Sequence, residues 1–237
     1  MIRWVVFDLD GTLYDTDAYF STAFKDIASR CHLAFAADPV QVERILWRIL
    51  RVKGSQYPKL FDDLLGEVAP MEYQPERVSE LVQVFHNAPL DGILLYEDAA
   101  RFLSQHWGRW GFSLLTNGGA LKQRRKVEAL GLTRWMSHIV YCQDLGAPKP
   151  SHMAFQHLLT LLNCNGDSCV YVGDNPDLDF PGAKATGMWT VHLNRGEFRL
   201  TQETSNGADA VVSSFDDLSE WLRGKVDSYE TCRERSA

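Results

Sequence analysis

The sequence predicts an α/β protein: a parallel sheet covered by helices on both faces, with a small helical bundle inserted after the first strand. Three observations lead there. Short apolar runs recur along the chain and end in polar or glycine-rich turns. Helical periodicity fills most of the intervals between them. One long N-terminal stretch has helical periodicity and no strand-like run.

Taken in order, the run Trp4, Val5, Val6, Phe7 has the length and the β-branched and aromatic content of a buried strand. From Asp15 to Pro89 the pattern changes. Ala23, Phe24, Ile27 and Ala28 share one helical face, as do Val42, Ile45, Leu46 and Ile49, and then Val78, Leu81, Val82 and Phe85. A bundle inserted here is expected over the carboxyl ends of the strands, in the place of a lid, because ligands of open α/β sheets bind at that edge. Beyond it, helices are expected at residues 97–106, 121–130, 154–162 and 179–185. They separate strands at 112–115, 138–141, 169–172, 189–193 and 210–212, the alternation of a parallel sheet with helical crossovers. The polar stretch 225–237 lacks periodicity and is expected to be a frayed tail. The domain reading is therefore a core of residues 1–14 and 90–224, a helical insertion of residues 15–89, and the tail.

At 237 residues, 45% hydrophobic and 23% charged, the chain is long and apolar enough to bury a substantial core without disulfides. Its net charge of -7 argues against nucleic acid as a partner, since phosphate backbones are held by clustered Lys and Arg. It leaves room for a small anionic substrate, which one metal ion, one Lys and a few backbone N–H groups neutralise. Cys31, Cys142, Cys164, Cys169 and Cys232 have no paired metal-type spacing and read as free thiols. The apolar run at the N-terminus is too short for a signal-peptide core, and no uncharged stretch reaches the ~18 residues of a membrane span. A cytoplasmic protein with no membrane partner is expected, and nothing in the sequence sets an oligomeric state.

Four turns carry polar chemistry, each after a predicted strand. Asp8-Leu9-Asp10-Gly11-Thr12 brings two carboxylates out of the first strand. Thr116-Asn117-Gly118-Gly119 offers a hydroxyl and exposed backbone N–H groups that suit phosphate oxygens. Lys149 stands between Pro148 and Pro150, which restrict the backbone carrying its ammonium. Gly173-Asp174-Asn175-Pro176-Asp177-Leu178-Asp179 is an acidic loop suited to a hard cation. Each is an ordinary turn taken singly. Together, at the carboxyl ends of parallel strands, they fall on one edge of the sheet.

In these motifs the sequence resembles the haloacid dehalogenase superfamily, whose four signatures match Asp8-Leu9-Asp10-Gly11-Thr12, Thr116-Asn117, Lys149, and Gly173-Asp174 with Asp179, in that order. The resemblance spans nearly the whole chain. It implies a Rossmann-like, doubly wound parallel core with a C1-type helical cap, and a phosphatase of small phosphomonoesters such as nucleotides, sugar phosphates or phosphoglycolate. It further implies Asp8 as nucleophile, Asp10 as general acid and base, and Thr116, Asn117 and Lys149 as phosphate ligands. Mg2+ would be held by Asp8, the Asp10 carbonyl and Asp174, with Asp179 in support. Asp177 is the weaker candidate by spacing, and Arg51, Lys53 and Tyr57 are possible but less favoured cap contacts. A second acid at position 10 suits oxygen leaving groups rather than halide. A phosphomutase of the same superfamily and a catalytically silent binding module stand as alternatives.

Overall fold

The structure, a computed structural model, describes residues 1–199 and 207–234. After β1 (Trp4–Phe7) come four helices: α1 (Thr16–Phe35), α2 (Pro39–Lys53), α3 (Leu60–Val68) and α4 (Pro75–Asn87). The remainder alternates: α5 (Glu97–His106), β2 (Gly111–Thr116), α6 (Ala120–Ala129), β3 (Met136–Tyr141), α7 (His152–Leu162), β4 (Cys169–Gly173), α8 (Pro176–Ala185), β5 (Trp189–Leu193), β6 (Ala210–Val212) and α9 (Phe215–Glu234). The chain divides into two compact units, Met1–Thr16 with Leu94–Ala237, and Asp17–Ile93.

In the larger unit the six strands pair in the order β3-β2-β1-β4-β5-β6, and every pair is parallel. The chain builds outward from β1 on one side and then returns to start again beside it. This reversal opens a crevice at the carboxyl ends of β1 and its neighbours, the place where doubly wound sheets bind ligands. Register is fixed by burial: Val5 lies opposite Phe112 and Val170, and Phe7 opposite Leu114 and Val172, all inaccessible or nearly so.

The pleat sends alternate residues of β1 to opposite faces. Val6 joins Tyr171, Cys169, Leu115 and the inner residues of α7, Phe155, Leu158 and Leu159, with Ala183 of α8. Phe7 points the other way, into a cluster of Phe102 from α5, Phe112 from β2 and Phe215 from α9, with ring centroids 5.5–6.2 Å apart. Each such ring contributes about 1.5–3 kcal/mol by its burial, so the alternating side chains of β1 help to hold helices to both faces.

The strands run a residue or two longer than the apolar runs, because the flanking Gly111, Thr116 and Gly173 extend the ladders without being apolar. Likewise α8 starts at Pro176, where Asn175 caps it by accepting from the Asp177 N–H at 3.2 Å, three residues before the expected start. The expectation of a frayed tail from residue 225 is corrected in part. α9 continues to Glu234, and residues 235–237 lie outside the described ones.

The smaller unit is helical throughout, with no strand among its described residues. Its core is built from Phe20, Phe24 and Ile27 of α1, Val42, Leu46 and Ile49 of α2, Leu64 and Leu65 of α3, and Leu81 of α4. α2 begins at Pro39 under an Asp38 cap and ends at Gly54, whose φ of 85° takes the chain out of the helix.

Candidate active site

The site is assembled at the carboxyl edge of the larger unit. Asp8 follows the last residue of β1, and its N–H donates to the Val172 carbonyl at 2.9 Å, extending the β1–β4 ladder by one residue. The chain then turns, with Gly11 at φ 76°, where a Cβ would lie 2.2 Å from Asp174 Oδ2. Gly173 has the same duty in the opposite loop: a Cβ there would lie 2.1 Å from Asp179 Oδ2. Two missing side chains thus make room for two carboxylates.

Lys149 ties these acids together. Its Nζ donates to Asp8 Oδ1 at 2.6 Å, to Asp179 Oδ1 at 2.7 Å and to the Tyr171 hydroxyl at 2.9 Å, with all four side chains buried. Its own position comes from Asn117, whose Oδ1 accepts from the Lys149 N–H at 2.8 Å and whose Nδ2 donates to the Lys149 carbonyl at 3.1 Å. The peptide bond that follows, Lys149–Pro150, is cis. Asp179 also accepts from the Asn175 N–H at 3.0 Å, which anchors the first turn of α8 to the cluster.

Oxygen atoms of Asp8, Asp174 and Asp179 lie within 4.8 Å of one another. One ammonium cannot balance three buried carboxylates. Burial pushes Asp8 up to about 7, with Asp179 and Asp10 adding to the rise and Lys149 opposing it. Burial, then Asp8 and Asp179, drives Asp174 well above the usual carboxylate range. Asp174 has Thr12 Oγ1 at 3.5 Å as its side-chain donor. This excess of negative charge, in a pocket with oxygen donors only, fits a hard divalent cation.

Asp10 lives differently. Its carboxylate receives Lys126 Nζ and the Tyr14 hydroxyl on Oδ1, and Gln123 Nε2 at 2.7 Å on Oδ2. Although burial works to raise it, Lys126 and Lys122 overcome that and hold Asp10 near 2, so it is ionised. Burial and the neighbouring Lys126 in turn lower Lys122 to about 8, against Asp10. The same Gln123 nitrogen donates at 2.8 Å to Thr116 Oγ1, whose hydroxyl hydrogen points to the Asn117 carbonyl at 3.2 Å.

The structure therefore brings Asp8, Asp174, Asp179 and Lys149 into one cluster. Asp10 is bonded to α6 beside it, Thr116 is joined to Asp10 through Gln123, and Asn117 clamps Lys149. Asp177 is exposed, its N–H in the Asn175 cap. Within the helical unit Arg51 pairs with Asp17 and lies 5.0 Å from the Trp47 ring, Lys53 lies 5.7 Å from the Tyr57 ring, and Tyr57 donates to Asp63 at 2.9 Å. Sequence reasoning missed Tyr14, Gln123, Lys126 and Tyr171. The available signal was the i, i+3 spacing of Gln123 and Lys126, which places them on one face of α6 with Val127 alongside.

Residues 2–187 match the protein family described as haloacid dehalogenase-like hydrolase. The glyceraldehyde 3-phosphate phosphatase of Methanocaldococcus jannaschii is 28% identical over 221 residues, 92% of this chain and 96% of its own. The enzyme of the same name from Methanopyrus kandleri is 30% identical over 204 residues, 84% and 87% of the two chains. Among solved structures, the putative HAD-hydrolase YfnB from Bacillus subtilis, bound to magnesium, superposes with a TM-score of 0.71 at 18% identity, over 93% of this chain and 98% of that one. That likeness is one of fold. On the family match, which spans most of the chain, the protein belongs to the haloacid dehalogenase-like hydrolases.

Proposed function

We propose that this hydrolase is a magnesium-dependent phosphatase of small phosphomonoesters, with Asp8 as nucleophile and Asp10 as general acid and base. The observation that carries the reading is the buried Asp8, Asp174 and Asp179 cluster with a single ammonium at its centre. A site with surplus negative charge is poorly suited to bind a phosphate by itself, and well suited once a divalent cation joins it. Asp8, the Asp10 carbonyl and Asp174 would hold Mg2+, with Asp179 fixed behind them. Bound there, the ion would supply charge neutralisation for both the nucleophile and the phosphoryl oxygens.

Asp8 Oδ attacks phosphorus, the bond from phosphorus to the leaving oxygen breaks, and Asp10 gives that oxygen a proton. In the second half Asp10 takes a proton from water, which attacks the aspartyl-phosphate, frees Asp8 and yields inorganic phosphate. The ionised Asp10 of this structure is the form needed for the second half. Lys149 holds Asp8 in line and offsets charge, while Thr116 and the backbone at Asn117 receive phosphoryl oxygens.

The inserted helical unit is assigned the choice of leaving group. The names of the relatives favour a short sugar phosphate such as glyceraldehyde 3-phosphate. No helix among the described residues is long and apolar enough to cross a membrane. The reading takes the cytoplasm as the compartment, in keeping with free thiols at Cys31, Cys142, Cys164 and Cys169.

Phosphate release from glyceraldehyde 3-phosphate, phosphoglycolate, phosphoserine and nucleotides tests this, with Mg2+ or chelator, for wild type beside Asp8→Asn. Release that needs Mg2+ and vanishes in Asp8→Asn is expected. Release that survives in Asp8→Asn would remove the nucleophile from the reading.

A further inference from the structure

A second pair of reactive side chains lies at the opposite, amino edge of the sheet. Cys169 opens β4, fully buried in the core with Val6, Leu158 and Tyr171. Cys164 follows Asn163, whose φ of 47° ends α7, and is half-buried against the same core. The connection between them returns the two sulfurs to 3.3 Å of each other, in a thiol–thiol hydrogen bond. Cys164 also lines an open cavity of about 360 Å³ with Arg3, Gln156, Thr160 and Asn165. One thiol is reachable and the other stands directly behind it. Among the described residues no His, Asp, Glu or further Cys joins them in a grouping able to hold a metal, so the pair is a dithiol rather than half of a metal site.

We propose that Cys164 and Cys169 form a modification site at which a hydroperoxide closes an intramolecular disulfide. The Cys164 sulfur, as thiolate, attacks a peroxide oxygen. The O–O bond breaks, the sulfur is oxidised to a sulfenic acid, and the departing oxygen leaves as water after taking a proton. The Cys169 sulfur then attacks the Cys164 sulfur, the S–O bond breaks, and a second water leaves with the Cys169 proton. Two thiols give up two electrons and hydrogen peroxide becomes two waters. Proximity decides the fate of the sulfenic acid: a thiol already in contact captures it before a second peroxide does. Burial raises the Cys169 thiol well above its ordinary value, so Cys169 keeps its proton until the sulfenic acid stands beside it and gives that proton to the departing water as it attacks.

The test treats the full chain with a few equivalents of hydrogen peroxide, caps remaining thiols with N-ethylmaleimide under denaturing conditions, and maps peptides by mass. The peptide spanning residues 164–169 is expected to lose two hydrogens and take no maleimide, with dithiothreitol restoring two maleimide sites. Cys31 and Cys142, both buried, are expected to stay thiols and report that the fold was intact. In Cys169→Ala, dimedone capture at Cys164 is expected to rise by about tenfold over wild type, because the intramolecular competitor is gone. The wild-type mass alone decides the matter if that variant fails to fold. Oxidation of wild-type Cys164 to the sulfinic acid while Cys169 still takes maleimide would overturn the proposal.

Discussion

Replacing Asp8 with Asn is expected to stabilise the metal-free protein above pH 7 while abolishing turnover. The amide keeps the shape of the side chain and removes one of the three crowded charges. In the native state Asp8 is pushed up to about 7 by burial, against 3.8 unperturbed, so between those values the folded protein holds a proton that the unfolded chain has released. The sign follows: wild-type stability is largest below 3.8 on this account and falls as pH rises through about 7. At about 1.36 kcal/mol per unit, the three-unit rise sets a ceiling of about 4 kcal/mol on the strain of an ionised Asp8. Water entry and side-chain relaxation reduce the expected gain to about 2 kcal/mol, or about 4–8 °C in Tm for a chain of this size. Thermal unfolding in chelator at pH 4, 6 and 8 checks it. The two proteins should melt together near pH 4 and diverge by pH 8, with Asp8→Asn the higher. Adding Mg2+ should reverse the order, because the ion stabilises only the chain that binds it well. An Asp8→Asn variant that melts below wild type in chelator at pH 8, or a gap that does not depend on pH, would refute the reasoning.

Gly11→Ala should lower stability by about 2–4 kcal/mol, since its Cβ would strike Asp174 and its φ is positive; chemical denaturation measures this, and loss of the Mg2+-induced shift should accompany it. Asn117→Ala removes both hydrogen bonds to the Lys149 backbone, worth about 1 kcal/mol each, and should lower Tm by about 4–8 °C and cut kcat/KM by about tenfold as Lys149 loses its fixed position. Lys126→Met removes the strongest of the groups that hold Asp10 near 2, so the acid limb of the pH–rate profile for aspartyl-phosphate breakdown should move upward in pH. Phe102→Ala should destabilise the sheet's aromatic face by about 3–5 kcal/mol, read by urea unfolding, without altering KM.

Much of the core was legible because its signals are local. Apolar runs of strand length, each closed by a turn residue, mark β1, β2, β3, β4 and β5, and their alternation with helical periodicity leaves few arrangements other than a parallel sheet. The motif residues were legible for the same reason, as each stands within two or three residues of a strand end. What escaped was the face of α6. In Leu121-Lys122-Gln123-Arg124-Arg125-Lys126, five polar residues in a row read as a solvated helix, and charge alone does not reveal that Lys126 is 3% exposed. Its burial is repaid by an acid from a turn more than a hundred residues earlier in the chain, which no window of sequence contains. Tyr171 hid in another way. Inside β4 it looks like packing, yet the pleat puts its hydroxyl beside Lys149.

The chain of donors from Gln123 through Thr116 to the Asn117 carbonyl has a direction. Since the Gln123 nitrogen fills an acceptor position on the Thr116 oxygen, the hydroxyl hydrogen is committed elsewhere and rests on a peptide carbonyl. On the proposed reaction, an arriving phosphoryl oxygen would therefore meet no idle donor at Thr116. It must win the hydrogen from that carbonyl by a turn about one bond, an exchange of one acceptor for another whose net gain is small for a weakly basic oxygen and larger as charge accumulates on it. On the proposed reaction, a hydroxyl held in this way would respond to the electron density of what approaches, turning toward a charged phosphoryl oxygen and giving little to a neutral one.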